Sequence, residues 1–246
     1  MILKIYKYFS NFIFIPIFFY FIGRLIKSKE TAKSFREKFT VYDVKKPPGK
    51  LVWINAVSIG ESLSIIPIIK KIKKEYPYCN ILLTTSTLTS KKIIFKRKLD
   101  IIHKFSPIDI NFIIKRFLNY WKPDVALSVE SEIWPNLIIE SKEKKIPHLL
   151  LNARISQKSF LRWKYFSSHT KNLFESYKIC FSQDDESSHR FKTLGIKDVK
   201  NLGNLKFFSK KPPVVKAQLQ SLKKSLKNKF VIILASSHHG EEEMII

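Results

Sequence analysis

Short, almost unbroken apolar runs alternate along the chain with longer stretches whose apolar residues recur at helical spacing. LVWINAV (51–57) predicts a strand, and the pattern over 61–76 predicts a helix in which Pro67 forces a late start or a kink. NILLTTST, DIIHKFSP, DVALSVE and HLLLNAR predict four more strands, with TSKKIIFKRKL, INFIIKRFLNYW and NLIIESKEKK as helices between them. In INFIIKRFLNYW the apolar Phe112, Ile113, Phe117 and Leu118 fall near one helical face. YKICFSQ, DESSHRFKTLG and VKNLGN then repeat the rhythm. Strands apolar on both faces, set between amphipathic helices, imply a parallel sheet covered on both sides. Residues 49 to about 205 therefore read as one doubly wound, Rossmann-like α/β domain.

The first thirty residues have a different pattern. Tyr8 to Gly23 carries no charge and includes FIFIPIFFYFI, with Lys4 and Lys7 before it and Arg24, Lys27 and Lys29 after it. Sixteen uncharged residues fall short of the roughly 20 that a spanning helix needs. Pro16 is expected to bend the segment, and no small-residue cleavage site follows. An anchor lying in one leaflet, its basic flanks against anionic headgroups, is the expectation. The competing reading is a helix packed on the domain. KSKETAKSFREKF reads as a basic helix, and KKPPGK as the loop that opens the domain.

Charge changes the picture of the partner. Lys and Arg number 45 against 20 Asp and Glu, a formal net charge of +25. That suits nucleic acid, anionic lipid or a phosphorylated substrate, although a Lys- and Ile-rich composition inflates it. No helix-turn-helix, zinc, RNP-type or KH signature is present, so a nucleic-acid partner is not expected. AVSIGES has one glycine where a dinucleotide fold needs G-x-G-x-x-G, which excludes a Rossmann dehydrogenase. Cys79 and Cys180 stand far apart, without metal spacing, and fit a reducing compartment. His103, His169, His189, Trp53 and Trp163 read as structural or solvent-facing.

Ligands of doubly wound sheets bind outside the carboxyl ends of the strands. Four strands end there in polar groups: AVSIGE, TTSTLTS, SVESEIWPN and LNARIS. Glu61 follows a strand-to-helix turn, where the helix dipole is expected to lower its pKa. Glu130 and Glu132 end an apolar strand beside Trp134, and acids in such places are paired, hydrogen-bonded or functional.

WINAVSIGES, VESEIWPNLI, LLLNARIS, FSQDDESSHRFKTLG and NLGNLKF, in that order, resemble the 3-deoxy-D-manno-octulosonic acid (Kdo) transferases of lipopolysaccharide assembly, from about residue 30 onward. The resemblance implies a two-lobed glycosyltransferase B fold with an N-terminal hydrophobic membrane-anchor helix, at the cytoplasmic face of the inner membrane. It implies inverting transfer of Kdo from CMP-Kdo to a lipid A precursor (lipid IVA), without cofactor and without metal at the transfer centre. By position, Glu61 matches the family's general base. Glu130 and Glu132 match its E-x-E-x-WPN segment, in acceptor-binding or charge-stabilising roles that are not apportioned between them. Arg154 matches a basic position that could fork onto a carboxylate or phosphate. Asn204, Lys206 and His238 match positions on the donor side.

Two departures qualify the likeness. Asn55 stands where the family usually has histidine, so proton carriage by that side chain is not expected. FVIILASSHHGEEEMII resembles only the first strand and loop of the nucleotide-binding lobe, with His238 and Glu241 to Glu243 opening a signature. The expected division is an anchor at 1–30, an acceptor-binding lobe at 31–206, an interlobe linker at 207–229 and the truncated start of the donor lobe at 230–246. Activity of this chain alone is then expected to be low or nil, with a separately encoded C-terminal half as the partner that would restore it. The alternative is an inactive membrane-associated fragment with acceptor-side binding only. Residues 230 to 235 would be an apolar strand without sheet partners.

Overall fold

The computed structural model describes residues 2–208, 214–237 and 240–244. They fall into two compact units, 1–209 and 210–246.

The first unit is built on seven parallel strands in the order β3-β2-β1-β4-β5-β6-β7. They are β1 (Leu51–Asn55), β2 (Asn80–Thr85), β3 (Ile102–Phe105), β4 (Val125–Val129), β5 (His148–Ala153), β6 (Tyr177–Ser182) and β7 (Val199–Asn201). Between them run α4 (Ile59–Ser64), α5 (Ile66–Glu75), α6 (Leu88–Phe95), α7 (Asn111–Trp121), α8 (Pro135–Glu143), α9 (Gln157–Tyr165), α10 (Ser167–Phe174) and α11 (Asp185–Leu194). The predicted helix at 61–76 is two helices, with Pro67 in the first turn of the second, as its missing N–H requires.

Both sheet faces are dry. One apolar cluster holds Trp53, Phe117, Trp121, Phe174 and Phe191, and the other Ile54, Ile65, Ile69, Ile81 and Leu83. Neighbouring β1 residues, Trp53 and Ile54, point to opposite clusters, as the two-residue period of a strand demands. His103 is half-buried against Thr85, and desolvation pushes its pKa down to about 3, which keeps it neutral. Trp163 packs on Phe174, while His169 and His189 are exposed.

The N-terminal segment forms α1 (Ile2–Phe12) and α2 (Phe14–Ile26), bent by 47°. The break falls at Ile13, three residues before Pro16, because a proline ring disturbs the turn preceding it. No single described helix is long and apolar enough to cross a membrane; the bent pair passes by length and composition together. The segment does not stand apart from the domain. Lys7 bridges Glu140 and Glu143, each at 2.7 Å, and Tyr6 donates to Asp109 at 3.3 Å. The opposite surface leaves Tyr8, Phe9, Phe12, Ile15 and Phe19 exposed. After α2, α3 (Ala32–Lys38) opens with a capping box between Thr31 and Ser34. Its Glu37 pairs with Lys104 at 3.0 Å and accepts the Phe105 N–H, pinning α3 to β3.

The second unit contains α12 (Lys216–Ser225). Residues 230–235, expected as a strand, are not paired into any sheet among the described residues, and Phe230 and Ile233 are exposed. A strand is made by its neighbours, and an apolar run without one stays irregular.

Candidate active site

The strand order reverses direction between β1 and β4, which places the topological switch point there. The two acid-bearing turns predicted from sequence follow these two strands. After β1, Ser58 caps α4 by accepting the Glu61 N–H at 3.2 Å, and the Glu61 carboxylate reaches back to accept the Val57 N–H at 2.8 Å. This is a capping box displaced by one residue. It holds a buried carboxylate in a single pose at the sheet edge.

The sign of the Glu61 pKa differs from the expectation. Burial is the largest effect and raises it; Ser58 and the Val57 N–H pull it down, and neighbouring Glu130 pushes it up again. Desolvation and a second carboxylate outweigh the hydrogen bonds from Ser58 and the Val57 N–H.

After β4, Glu130 turns the chain with φ 58, in the left-handed region that few side chains adopt. Its carboxylate meets the Lys206 ammonium at 2.8 Å. Glu132 accepts a hydrogen bond from the Trp134 indole N–H. Its pKa is pushed up to about 7, first by burial and then by the charges of Glu61 and Glu130. The structure therefore gathers Glu61, Glu130 and Glu132 into one electrostatically coupled cluster, with Lys206 beside it. Lys206 sits over Gly60, where an added Cβ would lie 4.0 Å from its Nζ.

Asn204 has a positioning role here. Its Oδ1 accepts the Lys206 N–H at 2.9 Å, and its Nδ2 donates to Gln183 Oε1 at 3.0 Å. Arg154 is exposed, and its carbonyl accepts from Ser131 Oγ at 2.6 Å, joining the loops after β4 and β5. His238 lies outside the described residues.

Asn152, Gln183 and Asp109, which sequence reasoning missed, hold the site in place, together with Asn55. Asn152, at φ 51, accepts the Leu205 N–H on Oδ1 at 2.9 Å, and its carbonyl accepts from Gln183 Nε2 at 2.8 Å. Asn152, Gln183 and Asn204 thus clamp the turn that delivers Lys206. Asp109 accepts the N–H groups of Asn136 and Leu137, capping α8 from a distant loop, and burial lifts its pKa to about 6. Asn55 is buried; its Oδ1 accepts from Thr84 and Ser106, both at 2.8 Å, as a structural bridge between strand ends.

Residues 33–209 match the family model described as 3-Deoxy-D-manno-octulosonic-acid transferase (kdotransferase). The chain belongs to this family. A relative from Rickettsia bellii named 3-deoxy-D-manno-octulosonic acid transferase is 37% identical over 97% of this chain and 57% of its own length. One of the same name from Haemophilus influenzae is 31% identical over 94% of this chain and 56% of its own. The chain thus spans a little over half the length of these Kdo transferase relatives. Among solved structures, the S. aureus MnaA–UDP co-structure superposes with a TM-score of 0.50 at 10% identity, over 71% of this chain and 52% of the other. At that identity the likeness shows the fold alone: an α/β lobe of the glycosyltransferase B kind. Every candidate site residue except His238 lies inside the span matched by the Kdo transferase family.

Proposed function

We propose that this chain forms the acceptor side of an inverting Kdo transferase, in which Glu61 takes the proton of the acceptor hydroxyl. The observation that carries the reading is the coupled carboxylate cluster at the switch point, with Glu61 locked by its own turn and made more basic than an ordinary carboxylate. A base gains effectiveness as its pKa approaches the working pH. In the step, the acceptor O–H bond breaks and its proton passes to Glu61. The freed oxygen bonds to the anomeric carbon of Kdo from the opposite face, and the sugar–phosphate bond breaks with its electron pair leaving on CMP. Glu130 is already paired with Lys206, which favours Glu132 as the acid that steadies developing positive charge or holds the acceptor. Arg154, with its exposed position beside this loop, is assigned to an anionic group of either substrate. Lys206 and Asn204 border the donor side, and His238 is proposed there by family position alone.

The α1–α2 pair is proposed to lie in one leaflet at the cytoplasmic face of the inner membrane, with a lipid A precursor as acceptor. Its exposed Phe12, Ile15 and Phe19, followed by Arg24, Lys27 and Lys29, support that placement.

The test is Kdo transfer from CMP-Kdo to a lipid A precursor in membranes, with the chain alone and with the C-terminal lobe of the R. bellii relative supplied. Glu61→Gln is expected to lower the rate by roughly 10²–10⁴-fold while leaving membrane binding unchanged. Equal rates for Glu61→Gln and the parent chain would overturn the assignment of the base. No transfer in either arrangement would overturn the activity itself.

A further inference from the structure

A cavity of about 480 Å³ lies between the N-terminal helix pair and the carboxyl edge of the sheet. Ile17 and Phe21 of α2 form one wall, and Ile108, Ile133 and Trp134 of the domain form the other. Ser86 and Ser106 line it from the loops after β2 and β3. Two features tie this cavity to the carboxyl ends of β1 and β4. Trp134, which lines it, donates its indole N–H to Glu132. Ser106, which also lines it, donates to Asn55 at the end of β1.

The charged groups at the cavity are already satisfied by the protein. Lys38 is bound to Glu30 at 2.5 Å and covers the Phe21 ring at 4.8 Å. Asp109 is turned to the two N–H groups of α8 that it caps. No uncompensated charge remains there to draw an ion, while the isoleucines and aromatic rings favour a hydrocarbon. The helix pair that forms the near wall also exposes Phe12, Ile15 and Phe19 on its outer side. A volume near the lower end of the usual small-molecule range, ~300–1,000 Å³, suits one alkyl chain better than several.

We infer that this cavity holds one hydrocarbon chain of the lipid acceptor, with the acceptor's polar head carried toward Glu132 and Glu61. The inference rests on the lipid-acceptor reading above and adds to it a specific subsite. The chain threads between α2 and the Trp134 loop, so the protein grips the acceptor by its tail as well as by its sugar. Extraction of the tail from the bilayer is then a step in binding, and the bent helix pair is one wall of the substrate site.

The test uses the full chain without vesicles and a brominated fatty acid below its micelle-forming concentration. Bromine quenches an indole on near contact. Trp134 lines the cavity, whereas Trp53 and Trp121 are buried in the core and Trp163, packed on Phe174, does not line it. Saturable quenching is expected, reversed by unbrominated fatty acid and absent in Trp134→Phe. Ile17→Phe and Ile108→Phe each fill the cavity and are expected to raise the midpoint about tenfold, with the circular dichroism of the parent. Quenching that never saturates, that unbrominated fatty acid fails to reverse, or that keeps its midpoint in a folded filled variant overturns the inference. Reversal by inorganic phosphate would overturn it too, since the occupant would then be a headgroup. The probe needs neither CMP-Kdo nor a second lobe, so the two proposals fail separately. A chain that binds the probe but transfers nothing loses only the transfer reading. One that transfers without binding the probe loses only the cavity.

Discussion

Glu132 and Trp134 form a built-in reporter of the site's electrostatics. The carboxyl group titrates near pH 7, and its hydrogen-bond partner is fluorescent. A titration of tryptophan fluorescence should show a transition centred near pH 7 that disappears in Glu132→Gln. The stability consequence has a definite sign. A carboxyl pKa raised on folding contributes stability that is complete below the unfolded value, ~4.3, and lost as pH rises through about 7. Glu132→Gln should therefore raise the melting temperature at pH 8 relative to the parent, by the equivalent of about 1 kcal/mol after allowance for its partial exposure. Of these residues, the acids could be read from sequence because each interrupts an apolar strand pattern. Asn152 could not. An asparagine near a strand end looks like any strand terminus, and its partner, the Leu205 N–H, lies 53 residues away. Asn152→Ala should cost about 1–3 kcal/mol through the orphaned N–H and the lost tolerance of a positive φ, whereas Asn152→Asp keeps the acceptor; thermal melts of both would show it.

At the level of elements, the strands and most helices were legible because a parallel sheet buried on both faces leaves continuous apolar runs. Pro67 correctly marked a break, since proline acts through local geometry. The bend of the N-terminal segment was legible for the same reason, since Pro16 disturbs the turn before it and the break falls at Ile13. What held α8 was not legible at all. WPN looks like a helix start with proline at its first position, yet its cap comes from Asp109, 27 and 28 residues before the N–H groups it accepts. Asp109 also receives the Tyr6 hydroxyl, so one side chain joins α1 to the helix behind the Glu132 loop. Asp109→Ala should cost about 1–2 kcal/mol and speed amide exchange in the first turn of α8 and in α1 together. Faster exchange confined to α8 would show that α1 is held by its other contacts, Lys7 with Glu140 and Glu143 and Ser10 Oγ with the Asn111 N–H.

For the whole molecule, net charge and the apolar N-terminus together make a prediction about lipid. Binding to anionic vesicles should fall as salt rises, but not to zero, because apolar insertion is unscreened. Phe12→Ser with Phe19→Ser should remove that salt-resistant part, weakening binding at high salt about tenfold or more. Sedimentation with vesicles at two ionic strengths would measure both components. The contacts that seat α1 carry one more consequence, and it concerns timing. Tyr6 meets Asp109 across 103 residues and Lys7 meets Glu143 across 136. At roughly 5–20 residues per second, a ribosome delivers these partners about 5 to 30 seconds after the helix that needs them. During that interval the nascent apolar segment has no domain to rest on, and on the membrane placement proposed above a bilayer would receive it first.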